Sequence, residues 1–243
     1  MGINEKAGEV FSVAAENSPV AGCTVSKAVA EVAGGYVAHF SLAAGTDISP
    51  ESYPNAKLWI VADGTMEVVG DQFQTGFTRL AGLSEHLNPV NPVNPVQNKT
   101  LGKGDVFITP VETPVGVKSE KGAVYTEIEF GKETKMNKIL EAGKAFAMKD
   151  VLPYADGRIV NMDLASSPNM KFVLMSFDAG TGLSEHSAPG DALIFALDGE
   201  ATIGYEGAEH VIKAGENFKF AKNGRHWVKA NGRFKMALLL VID

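Results

Sequence analysis

The chain contains one pattern twice. Residues 45–64 (GTDISPESYPNAKLWIVADG) align without a gap on residues 180–199 (GTGLSEHSAPGDALIFALDG), 135 positions later. Gly45/Gly180, Thr46/Thr181, Ser49/Ser184, Ser52/Ser187, Pro54/Pro189, Leu58/Leu193, Asp63/Asp198 and Gly64/Gly199 are identical. The same offset joins Ala7-Gly8 to Ala142-Gly143 and Phe11 to Phe146. A second block, Gly104-Asp-Val-Phe against Gly215-Glu-Asn-Phe, with Val117-Lys118 against Val228-Lys229, repeats at an offset of 111. Self-similarity of this kind marks one structural unit used twice. The change of offset, 135 − 111 = 24, places 24 additional residues in the first copy. The expected organisation is two domains, 1–135 and 136–243, the first carrying a loop inserted at about 70–99.

The insertion contains NPVNPVNPV at residues 88–96. Proline at every third position removes backbone donors and fixes φ, which predicts an extended or turn-like loop and no ladder strand. Within the insertion, residues 82–86 (GLSEH) copy residues 182–186 letter for letter. The copy lacks the strand context of the second occurrence, so His86 is assigned to no site.

Hydrophobic periodicity is mostly two. Short runs at 171–177, 192–197, 201–205, 210–213, 217–221, 227–229 and 235–242 read as strands bounded by Gly, Asn, Asp or Pro. The first half gives counterparts at 36–42, 57–62, 66–69, 105–109, 116–119 and 123–130. Only 136–148, at the join between the copies, reads as weakly helical. Many short strands with closely spaced turn signals predict an all-β chain, a sandwich or barrel repeated twice. The run Ala237-Leu-Leu-Leu-Val241 is apolar at consecutive positions, which predicts burial on both faces, between the barrels or in a dimer.

Composition narrows the function classes. A net charge of −7 with no Lys/Arg run argues against nucleic acid and anionic membrane as partners. A single cysteine, Cys23, makes no intramolecular disulfide and no Cys cluster for zinc. No basic segment followed by an apolar run opens the chain, and no stretch of about 18 apolar residues is present, so a cytoplasmic setting is expected.

The two copies differ where chemistry would reside. The first carries Glu51, Tyr53 and Lys57; the second carries His186, Ala188 and Ala192 at the aligned positions. Gly180, His186 six residues on, Gly199, then Gly215 with His226 eleven residues later resemble the two motifs of the cupin barrel, and the resemblance covers both halves. It implies a bicupin: two tandem double-stranded β-helix jelly rolls. In that family three histidines and a glutamate hold a divalent metal. Here His186 fills the first histidine position and Gly224-x-His226 matches the core of the second motif within one residue. Ala188 and Ala192 stand at the second histidine and glutamate positions, and Ala221 replaces a proline.

The resemblance makes the second barrel the candidate site. His186 and His226 are the candidate catalytic or metal-binding residues, and Asp191, beside the glutamate position, is the candidate third ligand. Strand alternation puts Ser184 on the face of His186 and turns Glu185 outward, and it puts Ile194 on the inner face with Ala192. Ser184, Asp191 and Ile194 are therefore the expected ligand-binding residues. The implied cofactor is a divalent metal (Fe, Mn, Ni or Zn). The implied partner is a small polar molecule such as a sugar, sugar acid or carboxylate, with isomerase, lyase, decarboxylase or dioxygenase chemistry. A metal-free binding or sensing pocket stays open beside it, because imidazole titrates near neutral pH and can bind and transfer protons unaided. A homodimer is expected as well.

The first barrel reads as a degenerate site, with Val115 at the place of His226. Glu51 and Lys57 are expected either as a buried pair or as residues of a solvated mouth. Trp59 is expected to fill that barrel, and Trp227 to face away from His226. His39 is expected in core or edge, and His210 at the surface.

Overall fold

The computed structural model describes residues 2–32, 34–70 and 98–242. The prolines of 88–96 and the 82–86 copy lie outside them. The described part of the first half runs β1 Val10–Phe11, α1 Val13–Glu16, β2 Thr24–Val32, β3 Gly35–Leu42, β4 Thr46–Glu51, β5 Lys57–Gly70, β6 Lys99–Gly102, β7 Asp105–Ile108, β8 Val115–Ser119 and β9 Ala123–Glu129. The second half runs β10 Lys135–Met136, β11 Ala145–Ala147, a 3-10 turn Met148–Asp150, β12 Ile159–Ser167, β13 Met170–Phe177, β14 Gly182–His186, β15 Asp191–Tyr205, β16 Ala208–Lys213, β17 Asn217–Phe220 and β18 His226–Val241. No helix among the described residues is long and apolar enough to cross a membrane.

The architecture is all-β: two tandem jelly-roll barrels in which long bent strands pass from one face to the other. The first sheet has the order β11-β7-β5-β9-β3-β2, with β4, β6 and β8 completing the barrel. The second has the order β1-β17-β15-β18-β13-β12-β10, with β14 on β18 and β16 on β15. Runs expected as separate strands at 57–62 and 66–69 are one strand, β5, and those at 192–197 and 201–205 are one strand, β15. β5 is interrupted by one bulge and β15 by two, which bend the strand without ending it. The glycine shared by both copies explains the bend. Gly64 (φ 77°) and Gly199 (φ 71°) hold left-handed backbone. A Cβ there would lie 2.2 Å from the Gly122 carbonyl oxygen and 1.8 Å from that of Arg233, respectively. No other residue fits so close a crossing.

The other matched residues at the head of each repeat, Ala-Gly and Phe, belong to arms that the two halves exchange. β1 pairs with β17 of the second barrel, Phe11 facing Asn217. β11 pairs with β7 of the first barrel, Phe146 facing Val106. This pairing is why 136–148 is not helical: its ends are strands recruited to two sheets, and Gly143 between them has φ 75°. A weak helical tendency yields to ladder bonds that satisfy the backbone.

Three cores result. One fills the first barrel (Trp59, Phe107, Tyr125, Met66, Leu101) and one the second (Ile194, Phe177, Phe218, Phe220, Phe234, Met236). The third joins the barrels, bringing Leu58, Ile60, Val106 and Ile128 against Phe172, Leu193, Phe195 and Leu239. Ala237, Leu239 and Val241 enter this joint core, while Leu238 and Leu240 lean into the second barrel. One face of the apolar run is thus buried between the barrels, and the other is half-buried against the core of the second barrel.

Candidate functional site

Alternation alone would misplace His186. Counting from Leu183, which packs against the core of the second barrel, a regular strand would turn residue 186 outward. The ladder has Leu183 opposite Val228 and His186 opposite His226, so three steps on β14 match two on β18. This bulge throws Ser184 and Glu185 together to the solvent side and brings His186 onto the face of buried His226. The first barrel repeats the device: Ile48 faces Val117 and Glu51 faces Val115, with the same three-for-two step. Glu51 and Val115 therefore stand where His186 and His226 stand in the second copy.

The two imidazoles meet. Their ring centroids are 4.3 Å apart at 56°. His226 is 5% exposed and His186 is exposed, so the pair spans the edge between barrel interior and solvent. Phe220 lies flat against His226, centroids 3.9 Å apart and planes 16° from parallel. Nδ1 of His186 is 2.8 Å from the carbonyl oxygen of Ser184, and Nδ1 of His226 is 2.8 Å from that of Gly224. A carbonyl only accepts, so in both rings Nδ1 carries the hydrogen and the neutral ring offers its lone pair at Nε2. Burial lowers the pKa of His226; the Gly224 carbonyl works against this and the neighbouring His186 adds to it. His226 is thus disposed to be uncharged at neutral pH. The turn that delivers it uses Asn223 at φ 63°, a left-handed position that asparagine tolerates better than most residues.

The other expected site residues are placed differently. Ile194 is fully buried in the barrel core. Ser184 does not share the face of His186; the bulge exposes its side chain, and its carbonyl is what orients the ring. Asp191 is spent on the amino-terminal arm. It pairs with Lys219 at 3.0 Å and accepts the backbone N–H groups of Ile3 and Lys222, each at 2.8 Å. Burial works to raise its pKa, but these donors hold it below the ordinary value. No group of three His, Cys, Asp or Glu side chains able to hold a metal exists among the described residues. The imidazole pair suits a divalent metal in kind, since ligating histidines typically donate their second N–H to a carbonyl. It falls short in number, because catalytic zinc uses about three protein ligands. The family's metal centre does not fit this donor set.

In the first barrel, the partner of Lys57 is Glu127 at 3.0 Å and not Glu51, which is exposed. Trp59 fills that barrel, with its Nε1 donating to Glu127. Glu127 and Glu129 escaped the sequence reading, although both lie in phase with Tyr125 on β9 and so on its inner face. Trp227 faces away from His226 and covers Gly204, where a Cβ would lie 1.9 Å from its Nε1. His39 is buried, bonded through Nδ1 to Thr126 at 3.0 Å. His210 is half-buried rather than exposed, its ring 5.1 Å from that of Phe218. A cleft of ≈ 280 Å³ opens between the barrels around Ile60, Phe195 and Leu197, and neither site histidine lines it.

A cupin domain model matches residues 173–242. No curated protein matches the chain. A cupin 2 conserved barrel domain protein from Leptotrichia buccalis superposes with a TM-score of 0.78 at 24% identity, over 99% of this chain and 100% of that one. A salicylate 1,2-dioxygenase from Pseudaminobacter salicylatoxidans superposes with a TM-score of 0.53 at 10% identity, over 86% of this chain and 71% of that one. Both are likenesses of fold.

Proposed function

We propose that the second barrel, with its convergent imidazole pair, binds a small hydroxylated molecule, a sugar or sugar acid, at His186 and His226. Both Nδ1 atoms face backbone carbonyls, which leaves each ring an acceptor at Nε2, on rings whose centroids are 4.3 Å apart. Two neutral acceptors select a ligand that donates, such as a diol. A carboxylate on the same ligand would be met only once one ring is protonated. Phe220 backs His226 with apolar surface, while His186 faces water. Such a site is suited to binding and sensing. Where chemistry accompanies binding, His226, uncharged at neutral pH, takes a proton at Nε2 from a bound hydroxyl or an acidic C–H and returns that proton from the same nitrogen. The likeness to salicylate 1,2-dioxygenase lends no substrate to this reading.

Calorimetric titration of tag-free protein against neutral monosaccharides, sugar acids and short hydroxy acids tests the proposal. The expected result is saturable binding of a hydroxylated ligand, unchanged by chelator and weakened about ten-fold in His186→Ala and His226→Ala, the loss of one hydrogen bond to the ligand in each. Binding that survives both substitutions rules the site out. Binding abolished by chelator and restored by one divalent ion would replace the metal-free reading with a two-histidine metal site completed by the ligand.

A further inference from the structure

The first barrel carries a polar cluster that the imidazole site does not use. Lys57 is 6% exposed and Glu127 3%. The Lys57 ammonium lies 2.8 Å from Tyr36 Oη, 3.0 Å from Glu127 Oε1 and 3.9 Å from Glu129 Oε2. It sits 3.7 Å from the centre of the Tyr53 ring and 5.3 Å from that of Tyr36. Tyr36 Oη in turn donates to Glu127 Oε1, Trp59 Nε1 donates to Glu127 Oε2 at 2.6 Å, and Asn55 donates to Glu129 Oε1 at 2.9 Å. Every donor of the ammonium has an acceptor or a π face, and both carboxylates are held in place by neutral donors.

The equivalent places in the second barrel are apolar. The registers Lys57↔Glu129 and Ala192↔Leu240 make Lys57 the counterpart of Ala192 and Glu129 of Leu240, and the same offsets match Glu127 with Leu238, Trp59 with Ile194 and Tyr53 with Ala188. A barrel of this shape packs without charge. The first copy instead surrounds one cation with two carboxylates and two aromatic faces, a net negative enclosure. Carboxylates at hydrogen-bond range and aromatic faces within about 6 Å are the features that recognise ammonium ions.

We propose that the first barrel is a primary-ammonium site that the chain fills with its own Lys57. The side chain of Lys57 acts as a tethered ligand, joining β3, β5 and β9 to the segment that carries Tyr53. Its removal leaves a cavity selective for a short alkylammonium ion over sodium or a quaternary ammonium, because only a primary ammonium donates to Tyr36 and Glu127 while fitting under Tyr53.

Lys57→Ala deletes the atoms of n-propylammonium and tests this directly. The variant should melt about 5 °C or more below the native chain, a loss typical of breaking a buried ion pair. Addition of n-propylammonium chloride at roughly 10–100 mM, the range expected of a fragment-sized ligand, should restore at least half of that loss saturably. Tetramethylammonium chloride and sodium chloride at equal ionic strength should not restore it, and the native chain should not respond. Equal responses to the three salts, or a variant as stable as the native chain, would overturn the proposal. Should Lys57→Ala fail to fold, reductive methylation followed by mass spectrometry decides in the native chain and in Glu127→Gln. Loss of the carboxylate should make Lys57 react about ten-fold faster by loosening the enclosure, and an unchanged rate there is equally fatal.

Discussion

At the scale of the residue, function rests on which nitrogen of each imidazole bears the hydrogen. The two carbonyl contacts fix Nδ1–H in both rings, and burial depresses the basicity of His226. A histidine whose folded pKa is lowered binds its proton more readily when unfolded. The native state is therefore unpenalised above the unfolded value, 6.5, and loses stability as pH falls below that value toward the depressed one. Imidazole ¹⁵N NMR should show His226 as the neutral Nδ1–H tautomer at pH 7, with its midpoint below 6.5. His186→Ala should move that midpoint upward, since the neighbouring ring is one of the causes of the depression. A native Nε2–H tautomer would remove both the midpoint argument and the acceptor pair itself.

At the scale of the element, what the sequence disclosed and what it withheld divide along chain distance. The repeat, the strands and the histidine positions were legible because they depend on local period and on spacing within one copy. The face of Ser184 was not, because the bulge between Leu183 and His186 is set by the partner strand, 40 residues further on. Asp191 read as a spare carboxylate beside the motif, and its partners Ile3 and Lys219 come from an arm and a strand that no spacing connects to it. Glu127 was visible in phase with Tyr125, yet only the fold shows that Lys57 faces it. The arm illustrates the same point energetically. Glu5 is buried beside His39 and Lys27, with His39 Nε2 at 3.5 Å and Lys27 Nζ at 2.8 Å from its Oε1. His39 foremost, with Lys27, overcomes burial and lowers the Glu5 pKa from 4.5 to about 2. A carboxylate with a depressed folded pKa stabilises fully above its unfolded value. Its contribution, roughly 3 kcal/mol by linkage, should thus hold above pH 4.5 and be lost as pH falls through 2. Glu5→Gln should cost a comparable amount at pH 7 and flatten the acid limb between those values. Denaturant unfolding at a series of pH values measures both, and parallel native and variant curves would show that Glu5 does not anchor the arm.

At the scale of the whole molecule, the exchanged arms make the two barrels one folding unit. Each half lends a short strand, β1 or β11, to the other's sheet, and the joint core takes side chains from both halves and from the connecting segment, where Leu140, Met148 and Leu152 are buried. A barrel that unfolded alone would strip a strand from its neighbour and expose the faces of Phe172, Phe195 and Leu239, so no partly folded state keeps its contacts. Unfolding should therefore be a single transition, with calorimetric and van't Hoff enthalpies in agreement, despite the duplicated architecture. Phe195, 6% exposed and set edge-on against Phe172 at 6.5 Å, tests the coupling from within the joint core. Phe195→Ala should lower stability by about 3–5 kcal/mol, the usual cost of a buried aromatic truncation, while leaving one transition. Two resolved transitions in the variant calorimetry, or a melt in which the second barrel's near-ultraviolet signal is lost before that of Trp59, would mean that the barrels fold independently and that the exchanged arms are only edge decoration.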